Sequence, residues 1–209
     1  MKIIDISWPL VEGMTTYKNK GIVQIKETKD WEKDRSRESL LTMIAHTGTH
    51  VDAPSHFLQD GKTIDKVALD TFVGPCQVVD LSDPKIGVIT ADELKKHTIT
   101  AKRALFKTKN SFLDPKALFN PDFVYVDKTA AAYLKDLGVV CVGIDYLGIE
   151  TKQPEHETHK TLLGNGIGII EGLRLADVAS GYYTLVCLPL ALVGTEASPA
   201  RAVLINETF

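Results

Sequence analysis

Short runs of apolar side chains, some alternating with polar ones, dominate the chain. Ile22–Lys26 alternates apolar and polar positions, as a half-buried strand does. Leu40–Ala45, Cys76–Leu81, Ala104–Lys107, Val139–Ile144 and Tyr183–Leu188 are rich in Val, Ile and Leu and predict further strands. Helical signals are fewer. Thr90 with Glu93 forms a capping box, predicting a helix from Ala91 to about His97. Thr129 caps a second helix over Ala130–Leu137, with Gly138 as its stop, and this helix leads directly into Val139–Ile144. The charged stretch Lys26–Glu38 reads as a solvated loop or irregular arm, and Lys109–Asp122, broken by prolines, as a loop. No Gly/Ser-rich linker and no solenoid-length repeat divides the chain. The expectation is one α/β domain over residues 1–209 with a mixed or largely antiparallel sheet.

Composition narrows the classes. At 209 residues, 44% hydrophobic and 24% charged, the chain can bury a core without disulfide staples. A net charge of −3 with no basic stripe argues against a nucleic-acid partner. The apolar stretches fall short of the ~20 residues that span a bilayer, so no membrane partner is expected. The opening residues, with an acid at Asp5, do not read as a signal peptide. Cys76, Cys141 and Cys187 are far apart among apolar neighbours, which suits reduced core thiols in a cytoplasmic protein.

The chemistry concentrates in His46-Thr-Gly-Thr-His50-Val-Asp52-Ala-Pro-Ser-His56. Its three histidines and one carboxylate occupy even positions, so extended backbone would line them on one side. Pro54 and the β-branched neighbours favour that backbone over a helix. Imidazole and carboxylate are ligands of borderline divalent metals, Zn²⁺ ahead of Mn²⁺. His46, His50 and Asp52 would supply three ligands, and His56, one step beyond, a general acid/base. Glu155-His156-Glu157-Thr158-His159 taken alone reads as a charged surface segment. Glu171 is more telling: it follows the apolar run Ile167–Ile170, where a carboxylate needs a cation.

The His46–His56 segment resembles the His-x-Gly-Thr-His-x-Asp-x-Pro-x-His signature of the cyclase-like metal-dependent hydrolases, which include kynurenine formamidase and isatin hydrolase. Ile4–Ser7, Val142–Asp145, Ile169–Leu173 and Leu188–Gly194 with Ala197–Ala202 also resemble segments of that family, so the likeness runs over nearly the whole chain. The resemblance implies a swivelling β/β/α-type domain and a homodimer or homotetramer. It also implies one or two metal ions per chain: His46, His50 and Asp52 would hold the first, and Asp52, Glu171 and His159 a second. His56 would be the catalytic acid/base. The family's loop after Gly13-Met14 carries prolines; here it reads Thr15-Thr16-Tyr17-Lys18-Asn19. Tyr17 stands at the substrate-stacking position, and loss of the prolines suggests a looser loop that accepts small amides other than N-formylkynurenine best. Asp145 is a candidate to orient a ligand histidine. Arg201 reads as a structural ion pair, and Trp8 and Trp31 as packing or interface residues.

The implied activity is arylformamidase-like hydrolysis of a small formamide or cyclic amide by metal-activated water, with no organic cofactor. A metal-dependent lyase or cyclase, or a non-catalytic metal-binding protein, are the alternatives; an imidazole beyond the ligand set, His56, speaks against the last. Trp31 on the charged arm marks an interface between copies.

Overall fold

The computed structural model describes residues 1–206. In chain order the first half contains β1 (Lys2–Asp5), β2 (Val23–Lys29), α1 (Trp31–Asp34), β3 (Glu38–Met43), β4 (His50–Asp52), β5 (Val73–Leu81), β6 (Val88–Ile89) and α2 (Ala91–Leu94). The second half contains β7 (Arg103–Thr108), β8 (Tyr125–Val126), α3 (Lys128–Asp136), β9 (Cys141–Ile144), α4 (Glu157–Gly164), β10 (Gly168–Glu171), β11 (Gly181–Pro189) and β12 (Ala197–Asn206). The main sheet runs β1-β12-β11-β5-β7-β9-β10-β4, and β4 also pairs with β12. Seven strands thereby close into a barrel-like ring, with β1 added at the edge. Pairings β5–β7–β9–β10 are parallel and the rest antiparallel, so the sheet is mixed.

Period-two alternation builds two cores from the parallel strands. Val78, Leu105, Cys141 and Ile170 point into the ring and pack with Leu185, Cys187 and Leu204. Val79, Phe106, Val142 and Ile169 point outward and are covered by Leu94 of α2, Ala130 and Leu134 of α3, and Leu162 of α4. All three cysteines are free thiols buried in the inner core. A third, aromatic cluster of Trp8, Met14, Phe123 and Tyr146 sits beside it. No helix among the described residues is long and apolar enough to cross a membrane.

The predicted strands are all present, with ends shifted by a few residues. Thr90 caps α2 by accepting from Glu93 N at 3.2 Å, but the α-helix ends at Leu94 because the chain tightens into i→i+3 bonds, His97 N to Leu94 O. The cap of α3 is Asp127, not Thr129: its carboxylate accepts from the amides of Thr129 and Ala130. Thr129 Oγ1 instead accepts from Ala91 N and ties the two helices together. Lys26–Glu38 is not a loop. It forms most of a hairpin, β2 on β3, that stands off the main sheet with one helical turn at its tip.

Candidate metal centre

Three local devices bring the chemistry together. The first is strand β4, set between β10 and β12. Its register places His50 directly across from Glu171 and Asp52 across from Ile169. Cross-strand partners share a face, as do His50 and Asp52 two positions apart. The second is Gly48, whose left-handed φ of 59° turns the chain before β4 and folds His46 back over Asp52. Gly172, at φ 70°, presses against that turn so closely that a Cβ there would lie 2.1 Å from Gly48 O. The third is α4, which projects His159 from its first turns into the same space.

The motif is therefore not one continuous strand. Only His50–Asp52 is extended; His46 precedes the Gly48 turn, and His56 ends a 3₁₀ turn, Pro54–His56. Folding still gathers the set. His46 Nδ1 lies 3.0 Å from Asp52 Oδ1, and His50 Nε2 lies 3.6 Å from the same oxygen and 3.3 Å from Glu171 Oε2. His159 Nε2 is 3.5 Å from Asp52 Oδ2 and 3.4 Å from Glu171 Oε1. His56 joins His46 and Asp52 in one ligand-sized group, its ring centroid 4.1 Å from that of His46.

Hydrogen bonds fix which nitrogens face inward. His50 Nδ1 donates to Gly48 O at 2.9 Å, and His159 Nδ1 donates to Glu150 Oε1 at 2.6 Å. Each ring thus presents Nε2 to the centre, as second partners of metal-binding imidazoles do. His46 Nε2, His50 Nε2 and both Asp52 oxygens are buried without a hydrogen-bond partner. Buried polar atoms left so cost free energy, and those of His50 and Asp52, with Glu171 beside them, lie within ligand reach of one another and fit a divalent cation. Electrostatics agree. Burial opposes ionisation throughout, yet the Glu171 and Asp52 carboxylates facing it lift His50 to about 9. Burial and the Asp52 charge push Glu171 upward, but His159 and His50 hold it at about 2. Burial pushes Asp52 upward, but the imidazoles of His159, His46 and His50 around it hold it well below its usual range. His56 differs: burial dominates and drops it to about 4, leaving a neutral imidazole at neutral pH.

Above the cluster lies a cleft of about 570 Å³ whose lining includes Tyr17, Ile44, Phe57 and Leu147, with His46, His56, His159 and Glu171 at its base. Tyr17 is thus on the wall, as expected, in edge contact with Phe119 at 5.0 Å. Its loop is not loose. Thr15 N and Oγ1 donate to Pro115 O and Ala117 O, and Asn19 Oδ1 accepts from Phe119 N at 2.8 Å, so hydrogen bonds replace the missing prolines.

Asp145 does not orient a ligand. Its carboxylate accepts from the amides and hydroxyls of Thr108 and Ser111, bracing the loop after β7. Glu150 holds that role, on His159, and sequence reasoning missed it; its signal was a second acid following an apolar run, Tyr146–Ile149. Glu196, 3.5 Å from His46 Nε2, was also missed. Arg201 pairs with Asp5, Nε to Oδ1 at 3.0 Å, away from the cleft.

The closed mixed sheet carries a buried histidine–carboxylate cluster that opens into a cleft with aromatic walls. The chain belongs to the Cyclase family, whose model matches residues 4–151. It is 37% identical over 210 residues to a kynurenine formamidase of Geobacillus thermodenitrificans, covering 96% of each chain. A solved structure described as a potential metal-dependent hydrolase with cyclase activity is 46% identical, with a TM-score of 0.86 and coverage of 97% and 96%. Isatin hydrolase A from Labrenzia aggregata, at 21% identity, shares the fold, with a TM-score of 0.83 over 99% of this chain and 94% of that one.

Proposed function

We propose that the chain hydrolyses the C–N bond of small, flat amides, aryl formamides or cyclic amides, at a divalent metal held by His46, His50, Asp52, His159 and Glu171. The observation that carries this reading is the group of unpartnered ligand atoms on His46, His50 and Asp52 at the base of an aromatic-walled cleft. A cation bound there lowers the pKa of water and polarises a carbonyl. Zn²⁺ suits the donor set, with Mn²⁺ second, and the carboxylates of Asp52 and Glu171 would be shared between two ions if both bind.

The residues of the chain do the rest. Tyr17, Phe57 and Leu147 hold a planar ring by its faces and exclude water from around it. His56 Nε2 or Nδ1, neutral at pH 7, takes the proton of the attacking water and returns it to the leaving nitrogen. Glu150 and the Gly48 carbonyl keep His159 and His50 in the tautomer that binds metal. Because the Met14–Asn19 loop is tied down, the expectation against N-formylkynurenine loses its physical basis. N-formylkynurenine therefore stands on the substrate panel beside isatin-like lactams and simple aryl formamides. We also place the protein in the cytoplasm, as a homodimer or homotetramer.

Elemental analysis before and after chelation, followed by rates on that panel, tests the proposal. Metal bound at one or two ions per chain, with amide cleavage that incorporates solvent oxygen-18, is expected. Turnover without incorporated oxygen would favour the lyase or cyclase reading. No uptake after reconstitution would end the metal reading.

A further inference from the structure

We propose that the mouth of the cleft selects amides that carry a carboxylate on the far side of the ring, and that Lys18 and Lys20 are the residues that read it. The proposal rests on the hydrolase reading and names the substrate class of that same site.

Charge in the cleft is divided by depth. The lining holds three lysines, Lys18, Lys20 and Lys152, and two acids, Glu150 and Glu171. Both acids are buried and already engaged. Glu150 accepts from His159, Thr158 N and Gln153, and Glu171 accepts from Ile149 N at 2.6 Å beside His50 and His159. The three lysines are exposed. Lys152 Nζ lies 2.9 Å from Asp122 Oδ1, whereas Lys18 and Lys20 form no ion pair among the described residues. Three lysines set against Asp122 leave a positive mouth on a chain whose net charge is −3. Lys18 Nζ also stands 5.1 Å from the centroid of the Tyr17 ring, so a ring lying against Tyr17 lies beside an ammonium group.

The backbone gives a second, independent sign. Lys18, Lys152 and His156 have left-handed φ angles of 52°, 58° and 53°, and all three line the cleft. Glycine or asparagine would take that conformation at less cost, and strained residues gather where a ligand is held. At Lys18 and Lys152 the fold thus accepts strain to keep a long cationic side chain at the mouth. The loop that carries Lys18 is tied to the segment at 115–119, which fixes where its side chain starts.

The ligand chemistry follows from this layout. A planar amide with its carbonyl at the base and its ring along Tyr17 brings the far side of the ring to the ammonium groups. A carboxylate there is attracted, a neutral group gains nothing, and a cation is repelled. No uncommitted acid lines the cleft to meet a substrate ammonium. N-formylkynurenine is therefore read by its carboxylate and not by its amino group, and its desamino analogue should serve at least as well.

Kinetics on the metal-loaded chain test this with 4-formamidobenzoate against the neutral N-(4-nitrophenyl)formamide, and calorimetric titration with 4-acetylbenzoate, which has no C–N bond to cleave. Wild type should show the lower KM for the carboxylate, and 0.5 M salt should erode the difference. Lys18→Gln and Lys20→Gln should each raise KM for the carboxylate, and Kd for 4-acetylbenzoate, by ~2–5-fold, the usual worth of an exposed ion pair. Lys18→Arg should retain wild-type values. Lys18→Gly should bind the carboxylate as weakly as Lys18→Gln yet melt no lower than wild type, because glycine relieves the left-handed φ. Asp122→Asn, which releases Lys152, should move KM the other way. Equal KM for the two amides would overturn the proposal. So would a carboxylate preference that survives the double Lys18→Gln, Lys20→Gln variant, since the metal would then be taking the anion, or a Lys18→Gly chain that melts lower, since Lys18 would then be a packing residue. If no amide is cleaved while 4-acetylbenzoate binding still depends on the two lysines, the hydrolase reading fails and the anion-reading mouth stands.

Discussion

His50 and His56 belong to one cluster, but their surroundings differ in kind. His50 is fully enclosed between two carboxylates, whereas burial dominates at His56, which makes no hydrogen bond to either acid. Replacing His50 with Ala should remove metal and activity together. Replacing His56 with Ala should leave the metal and lower kcat by ~10²–10⁴-fold, the usual worth of general acid–base catalysis. Metal analysis of both variants beside their rates separates the two roles; an empty site in His56→Ala would make it a ligand. Glu150→Gln keeps the shape at His159 but weakens a charged hydrogen bond of 2.6 Å. Metal affinity should fall ~10–100-fold, measurable by competition with a chromophoric chelator.

At the level of elements, the histidine–carboxylate cluster rests on a close approach between the Gly48 turn and the end of β10. Thr49 Oγ1 donates to Gly172 O at 2.6 Å and accepts from Trp8 N at 2.7 Å, and all of these groups are buried. Thr49→Val leaves both backbone groups unpaired and should cost about 1–3 kcal/mol per group in denaturant unfolding. Gly172→Ala adds a methyl into Gly48 O at a left-handed φ and should cost more than Thr49→Val, with metal affinity falling as β4 shifts. Much of this level was legible in the sequence. The period-two runs marked the strands, and the His46–His56 spacing marked side chains that the fold gathers into one cluster. What was not legible depended on distant partners. Asp127 outcompetes Thr129 as a cap because Thr129 serves α2. Glu150 matters only because α4 places His159 against it, and the arm is a hairpin because cross-strand pairs, Ile25 with Leu41 among them, outweigh its charges. Local pattern carries no signal for such pairings. His159 itself was reached by family likeness and not by its neighbours, which read as surface.

For the molecule as a whole, the cluster couples stability to pH. His50 has a folded value of about 9, above its ordinary 6.5. A raised value contributes stability that is fully present below about 6.5 and is lost as pH rises toward 9. Chelator-treated protein should therefore melt at lower temperature as pH climbs through that window. Metal-loaded protein should not, because the cation replaces the proton and binds more tightly as the ligands deprotonate. Calorimetry at both ends of the window, with and without chelator, checks this; parallel behaviour of the two forms would contradict it.

Strand β4 touches β10 on one side and β12 on the other. The proposed ligands His46, His50 and Asp52 thus come early in the chain, while the strands that hold them in place come late. On a ribosome, the emerging chain exposes these imidazoles long before Glu171 and the strand at 197–206 exist to shape them. Until the ring closes, the early histidines are isolated donors with weak, unselective affinity for any passing ion. On the proposed ligand set, selectivity arrives with the last strand, and tight binding of an ion waits for the folded chain.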